Sequence, residues 1–384
     1  MTAPRPNLLR QLSEQAILEA IFHEGPITRP EIAARTGISK PTVSAVVSRL
    51  VQGHLVQPVG ERTGRRGRAP VAFTVNSAAG FVVGVDVGST VLRVAAADIY
   101  GEVALERELP AATDGARDLD RRLTAEIREV ERELEGELLA IGVSTPGVVD
   151  PATRRVTSLA YHVSASGAYD ALAGLERRFG VPVLVENDVN SAAVGEKWHG
   201  LARGVPTFVF VSLGAGVGMG VVIEHELYRG YRGAAGEIAY LPLTPDPFDE
   251  RHRRLGGLED EVGAGGLLEA YNREAATAAE SAREVFARAT AGDIEALAVV
   301  ERTARQLGLA IATVCAVIDP ELVVLGGRIG GSPDLLPPVR AAVARLLPLP
   351  TRIETSVLAE RAALEGALAM GLRAARERLF SGSF

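Results

Sequence analysis

Apolar positions change their period along this chain, and each change marks an element. Val43, Val46, Val47 and Leu50 recur at three- and four-residue spacing, which predicts a helix with one buried face, opened by Ser39, with Pro41 in its first turn, and closed by Gly53. Just before it, Ile32, Ala33 and Thr36 give a shorter helix a small apolar side. Thr28 and Glu31 stand at capping-box spacing at its start, Pro30 sits in its first turn, and Gly37 is its stop. Upstream, LLRQLSEQAILEAIFHEG supplies a third helix that closes a small core. A short helix, a glycine-containing turn and a helix with a polar first turn predict a helix-turn-helix. The runs LVQPV and VAFTVN that follow flank a Gly/Arg loop and read as strand, turn, strand, the wing of a winged helix.

From about residue 79 the pattern becomes that of an α/β protein. GFVVGVDVGSTVLRVAAADIYGEV predicts an apolar strand, a Gly/Ser turn and two further strands, and TFVFVSLGAGVGMGVVIEHELYRG repeats the layout more than a hundred residues later. Helical stretches such as RDLDRRLTAEIREVERELEG and RTARQLGLAIATVCAVIDP alternate with the strands of LLAIGVSTPGV, VPVLVEND and ELVVLGG. A repeat at this distance predicts two similar lobes facing one another.

Charge sharpens the division. The net charge of −7 conceals a basic head: residues 1–76 hold ten Lys/Arg and five Asp/Glu, leaving 31 and 43 for the rest. Such a head points to a polyanionic partner. Ser39, Lys40, Thr42, Ser44 and Arg49 on the exposed side of the second helix suit base edges and phosphates. Arg62, Arg65, Arg66 and Arg68, interleaved with Gly64 and Gly67, suit a narrow minor groove. The single cysteine, Cys315, excludes an internal disulfide and a multi-cysteine zinc site, and favours a cytoplasmic home. No apolar run approaches the ~18 residues of a membrane span, and MTAPRPNLLRQLSEQ has no signal-peptide core.

Two features of the body carry chemistry. Glycine turns directly after strands let backbone N–H groups approach a phosphate, and two in matching positions suggest a nucleotide cleft between the lobes, in use or relict. LVENDVNSAAVGE sets two acids and two asparagines behind an apolar run; such a cluster serves chemistry, a ligand or a helix cap.

Taken together, GPITRPEIAARTGISKPTVSAVVSRL, GVDVGST, GVSTPGVVD, VENDVNSAAVGE, GAAGEI and VVLGGRI resemble the ROK family (repressors, open reading frames, kinases) in its repressor layout, over nearly the whole chain. The resemblance implies a winged helix-turn-helix DNA-binding domain at 1–78. It also implies a two-lobed body at 79–384 with the actin-like ATPase/sugar-kinase (RNase H-like) fold, its lobes roughly 79–194 with the C-terminal helix, and 195–364. It further implies that Asn187 and Asp188 grip sugar hydroxyls, with Glu237, Glu259 and the residue at Tyr240 as further contacts; in the kinases the aspartate is also the general base.

The departures favour a sensor over a kinase. Family kinases carry D-x-G-G-T-K in the first turn, where this chain has Asp86-Val87-Gly88-Ser89-Thr90-Val91. In the second, Ala215 lacks the usual threonine hydroxyl, and Met219 is expected to add bulk where backbone should approach phosphate. Tyr240 replaces a histidine that normally helps hold a structural zinc, the cysteine cluster that follows it is absent, and His252 reads as a surface residue, so neither metal nor cofactor is expected. The expectation is therefore a transcriptional regulator, a repressor, that binds operator DNA as a homodimer or homotetramer and answers a sugar-like effector. An ATP-dependent sugar kinase with a DNA-binding head is the alternative.

Overall fold

A computed structural model describes residues 6–61, 70–111, 116–157 and 171–380. The three N-terminal periodic stretches form α1 (Pro6–Glu24), α2 (Arg29–Thr36) and α3 (Lys40–Gln52), with a two-residue strand β1 (Ile27–Thr28) between α1 and α2. Strands β2 (Val56–Glu61) and β3 (Val71–Val75) complete an antiparallel sheet of order β1-β3-β2. The caps are local and polar. Glu31 Oε2 accepts from the N–H and the hydroxyl of Thr28, both at 2.8 Å. Ser39 Oγ accepts from the Thr42 N–H at 3.4 Å, and Gly37 closes α2 with φ 70°, a conformation that favours glycine. Arg62, Arg65, Arg66 and Arg68, between β2 and β3, lie outside the described residues.

The first lobe contains β4 (Gly80–Val87), β5 (Val91–Asp98), β6 (Val103–Pro110), α4 (Ala116–Glu133), β7 (Glu137–Thr145), the short pair β8 (Val148–Val149) and β9 (Val156–Thr157), α5 (Ala171–Phe179), β10 (Val183–Asn187) and α6 (Asp188–His199). Its main sheet runs β10-β7-β4-β5-β6; β4 pairs parallel with β7 and antiparallel with β5. The second lobe opens with β11 (Phe208–Leu213), β12 (Val217–Ile223) and β13 (Glu226–Leu227). Five helices follow: α7 (His252–Leu255), α8 (Gly257–Val262), α9 (Ala264–Glu274), α10 (Ala282–Thr290) and α11 (Ile294–Ile318). Then come β14 (Leu322–Gly326), α12 (Gly327–Gly330), α13 (Leu336–Leu346) and β15 (Arg352–Thr355), before α14 (Ala362–Phe380) ends the fold.

The second sheet, β13-β12-β11-β14-β15, reproduces the first strand for strand: a central strand with an antiparallel neighbour on one side and a parallel one on the other. The repeat in the apolar pattern is thus a duplicated α/β topology. Helix α14 crosses back to the first lobe, covers β4 and β7 and lies along α6. The two helices meet backbone to backbone. A Cβ on Gly195 of α6 would stand 2.1 Å from the Ala362 carbonyl oxygen, and one on Gly366 of α14 would stand 1.8 Å from that of Ser191, so both positions require glycine. One apolar cluster joins Ile17, Ile21, Val43, Val47 and Phe73 of the head to Val82, Ile99, Leu368, Leu372 and Leu379 of the first lobe and α14. No helix among the described residues is long and apolar enough to cross a membrane.

Candidate functional site

Strand β10 delivers its last residue, Asn187, to the start of α6, and Asn187 is the cap of that helix. Its Oδ1 accepts from the N–H groups of Val189 (2.9 Å) and Asn190 (3.0 Å); its Nδ2 donates to the Gly147 carbonyl and to Asp188 Oδ1, each at 3.0 Å. Two donors and two lone pairs are the whole capacity of an amide side chain, so the Asn187 amide is filled within the protein, one of its bonds going to Asp188. Asp188 Oδ1 accepts from Asn187 and from the Val189 N–H at 3.0 Å. Oδ2 makes no hydrogen bond among the described residues. Burial, then the charges of Asp86 and Glu237, push this carboxyl up to about 7.

The other acid of the cluster faces elsewhere. Glu186 is buried, and its Oε1 accepts from the Asn187 N–H (3.0 Å) and Asn190 Nδ2 (3.1 Å). Its Oε2 accepts from Arg229 Nε at 2.6 Å, an ion pair between the lobes. The strap from Arg229 then crosses the first lobe, where a Cβ on Gly233 would stand 2.0 Å from the Val149 carbonyl oxygen, and leads directly into Glu237. The Glu237 carboxylate is half-buried and makes no hydrogen bond among the described residues; burial and the charge of Glu259 hold its pKa above the usual carboxylate value. Glu259, in the first turn of α8, accepts from the Val217 N–H at 3.0 Å and lies over Gly216. Tyr240 stands beside both glutamates; burial and their charges push its phenol up. Asp188, Glu237, Glu259 and Tyr240 therefore come together electrostatically, with Asp86 as a fifth member. Asp86 is buried at the end of β4, its Oδ1 accepting from Ser144 Oγ at 3.0 Å, and desolvation raises its pKa. Its role was detectable in the sequence: Asp86 and Ser144 sit in register at the ends of parallel neighbours β4 and β7, behind two apolar runs.

Both glycine turns are closed on themselves. Gly88 N–H donates to the Val91 carbonyl at 3.0 Å, and Gly214 N–H to the Gly216 carbonyl at 2.9 Å. Arg93, nearly buried, meets Asp86 (3.5 Å), Glu108 (2.7 Å) and Glu360 (2.9 Å), and Glu360 also takes Arg328 of the second lobe at 3.2 Å. Glu360 was not visible in the sequence because its partners, Arg93 and Arg328, come from two distant segments. Two expectations need correction. Met219 does not crowd the second turn: it lies within β12, with its side chain in the core of the second lobe. His252 is not a surface residue: only 13% of its side chain is exposed, and it lies 3.8 Å from Asp260 and 3.4 Å from the Thr244 hydroxyl.

On the head, Ser39, the cap of α3, is exposed, as are Lys40, Thr42 and Ser44 within that helix, together with Ala45 and Ser48, which the sequence did not single out. Arg49 turns away from that face to pair with Glu14 of α1 at 3.0 Å.

The ROK family model matches residues 82–374, and the MarR family model matches residues 11–67. The xylose repressor of Bacillus subtilis (strain 168) is 26% identical over 348 residues, covering 88% of this chain and 87% of that protein. A glucokinase from Halalkalibacterium halodurans is 31% identical over 284 residues, covering 67% of this chain and 83% of the kinase. Among solved structures, a ROK family transcriptional regulator, a homologue of the E. coli MLC protein, superposes with a TM-score of 0.79 at 24% identity, covering 97% of this chain and 98% of that one.

Proposed function

This chain belongs to the ROK family, and from that premise we infer that it is a sugar-responsive transcriptional repressor. One observation carries the reading: a winged helix shares one apolar core with α14, and α14 lies along α6, the helix that begins at the candidate sugar site. The division at 1–78 and 79–384 then separates DNA reading from ligand sensing. Ser39, Lys40, Thr42 and Ser44 contact the operator, joined by the arginines between β2 and β3. Asp188, Glu237, Tyr240 and Glu259 hold the effector, with Asn187 orienting Asp188. Asp188 Oδ2 and the Glu237 carboxylate, which make no hydrogen bond among the described residues, are acceptors for sugar hydroxyls.

The effector works by population shift: it binds one arrangement of the lobes more tightly and moves the heads with them. A homodimer places two heads on a palindromic site, and the protein acts in the cytoplasm, where its operator lies. The test is titration of the full chain into labelled duplex from its own promoter, with and without pentoses, hexoses and N-acetylhexosamines. A sugar that weakens operator binding at least about tenfold, 1.4 kcal/mol, supports the reading. Absence of DNA binding, or unchanged binding across the whole panel, removes it.

A sugar kinase is the second reading, favoured by the free Oδ2 of Asp188 and its proton affinity near neutrality, both suited to a general base. Against it stand Val91 and Ala215, since phosphoryl transfer depends on positioning and charge stabilisation. ADP release with the same sugars is expected to stay at background. Turnover that vanishes in Asp188→Asn would establish the kinase.

A further inference from the structure

We infer that the cleft selects an uncharged polyol, a sugar before phosphorylation, and rejects the same sugar carrying a phosphate or a carboxylate. This rests on the reading of the cleft as the effector site. It follows from what is already committed there. Among the described residues, Arg93, Arg328 and Arg229 lie beside the cleft, and each is held by carboxylates. Arg93 meets Asp86, Glu108 and Glu360; Arg328 meets Glu360 at 3.2 Å; Arg229 meets the buried Glu186 at 2.6 Å. The Arg93–Arg328 cluster sets three carboxylates against two guanidinium groups, so it has no positive charge left for an anion.

Part of the turn backbone is engaged as well. The Gly88 N–H is taken by the Val91 carbonyl, the Gly214 N–H by the Gly216 carbonyl and the Val217 N–H by Glu259. An anion approaching the second turn meets the Glu259 carboxylate, which lies 2.9 Å from where a Cβ on Gly216 would be. Among the described residues the charged groups left without a hydrogen bond there are acidic, Asp188 Oδ2 and the carboxylate of Glu237, with the Tyr240 hydroxyl beside them. Sugar hydroxyls can donate to Glu237 and to ionised Asp188, and can accept from Tyr240. A phosphate monoester brings nearly two negative charges and only acceptor oxygens, and a uronate brings one charge, into a cleft whose carboxylates already raise one another's proton affinity. The regulator thus reads a sugar ahead of the phosphoryl-transfer step that consumes it.

The test is calorimetric titration of the full chain with matched sets: each pentose, hexose and N-acetylhexosamine, its terminal phosphate monoester and, where it exists, its uronic acid. The parent sugar is expected to bind, and its anionic partners to bind about a hundredfold more weakly, as like charges brought together require. Glu237→Gln should narrow that gap by weakening the parent and tolerating the anion. A phosphorylated sugar that binds as tightly as its parent, with binding lost in Asp188→Ala, overturns the inference and leaves the cleft as the effector site. Parent binding that survives both Asp188→Ala and Glu237→Ala, or no binding by any member, overturns the site reading, and the inference falls with it.

Discussion

Asp188 keeps its proton to about pH 7 because desolvation and the neighbouring charges of Asp86 and Glu237 all penalise its ionised form. A carboxyl whose folded pKa lies above its unfolded value, about 4 for aspartate, binds its proton more tightly in the native state. Its contribution to stability is complete below pH 4 and is lost as pH rises towards 7. Asp188→Asn removes the titration while its Oδ1 still accepts from Asn187 and Val189. The variant is expected to show a flatter decline of Tm between pH 5 and pH 8, and at pH 8 to melt at least about 2 °C above wild type, on the order of 1 kcal/mol for a fold of this size. Parallel Tm curves for the two proteins would mean that water, not protein, surrounds this carboxyl. The neighbouring Asn187 illustrates why residue type alone is a poor guide to contact: chemically it could grip a sugar, but its four hydrogen bonds are filled by the turn that positions Asp188.

Helix α3 is the element on which DNA affinity is tested most directly. Lys40, exposed in its first turn, is expected to neutralise a phosphate, so Lys40→Ala should reduce the slope of log affinity against log salt by about 1. Arg49, paired with Glu14, should behave differently: Arg49→Ala leaves the slope unchanged and costs about 0.2–1 kcal/mol of stability, the usual value for a partly exposed ion pair. Equal slope changes in the two variants would mean that Arg49 leaves Glu14 for DNA. Features set by local chemistry were legible in the sequence. The stripe Val43, Val46, Val47, Leu50 is the buried face of α3, and the doubled strand pattern is the doubled sheet. What escaped depends on partners far along the chain. β1 exists only because Ile27 and Thr28 meet Phe73 and Ala72; Met219 looks like part of a glycine turn until its pairing with Val211 places it inside a strand; and the pairing of Arg49 with Glu14 spans two helices.

Across the whole molecule, α6 joins the two functions. It begins at Asp188 and ends at Trp198 and His199, and its backbone is locked against α14 at Gly195 and Gly366, with His199 Nδ1 2.9 Å from Glu365 Oε2. At its far end Arg376 of α14 lies 5.1 Å from the Trp198 ring and 4.8 Å from Phe22 of α1, and donates two hydrogen bonds to the Ile99 carbonyl at 3.1 and 2.9 Å. Phe22 also stacks on Tyr100, whose hydroxyl reaches Thr74 and the Val75 carbonyl on β3. If effector binds at Asp188, we expect its displacement to be passed along this helix pair, whose opposite end seats the head. Arg376→Ala removes the guanidinium that touches both sides of that seat but no group of the cleft or of the DNA face. We expect it to bind effector and operator separately with affinities within about twofold of wild type, while effector no longer displaces DNA; Arg376→Lys, which keeps charge but loses the planar stack, should couple the two weakly. Coupling is reciprocal, so operator must weaken effector binding by the same factor by which effector weakens operator binding, and both factors should fall to about 1 together in Arg376→Ala. Full effector-driven release in that variant would show that the signal reaches the head by another path, and a loss of effector affinity would show that Arg376 shapes the cleft itself.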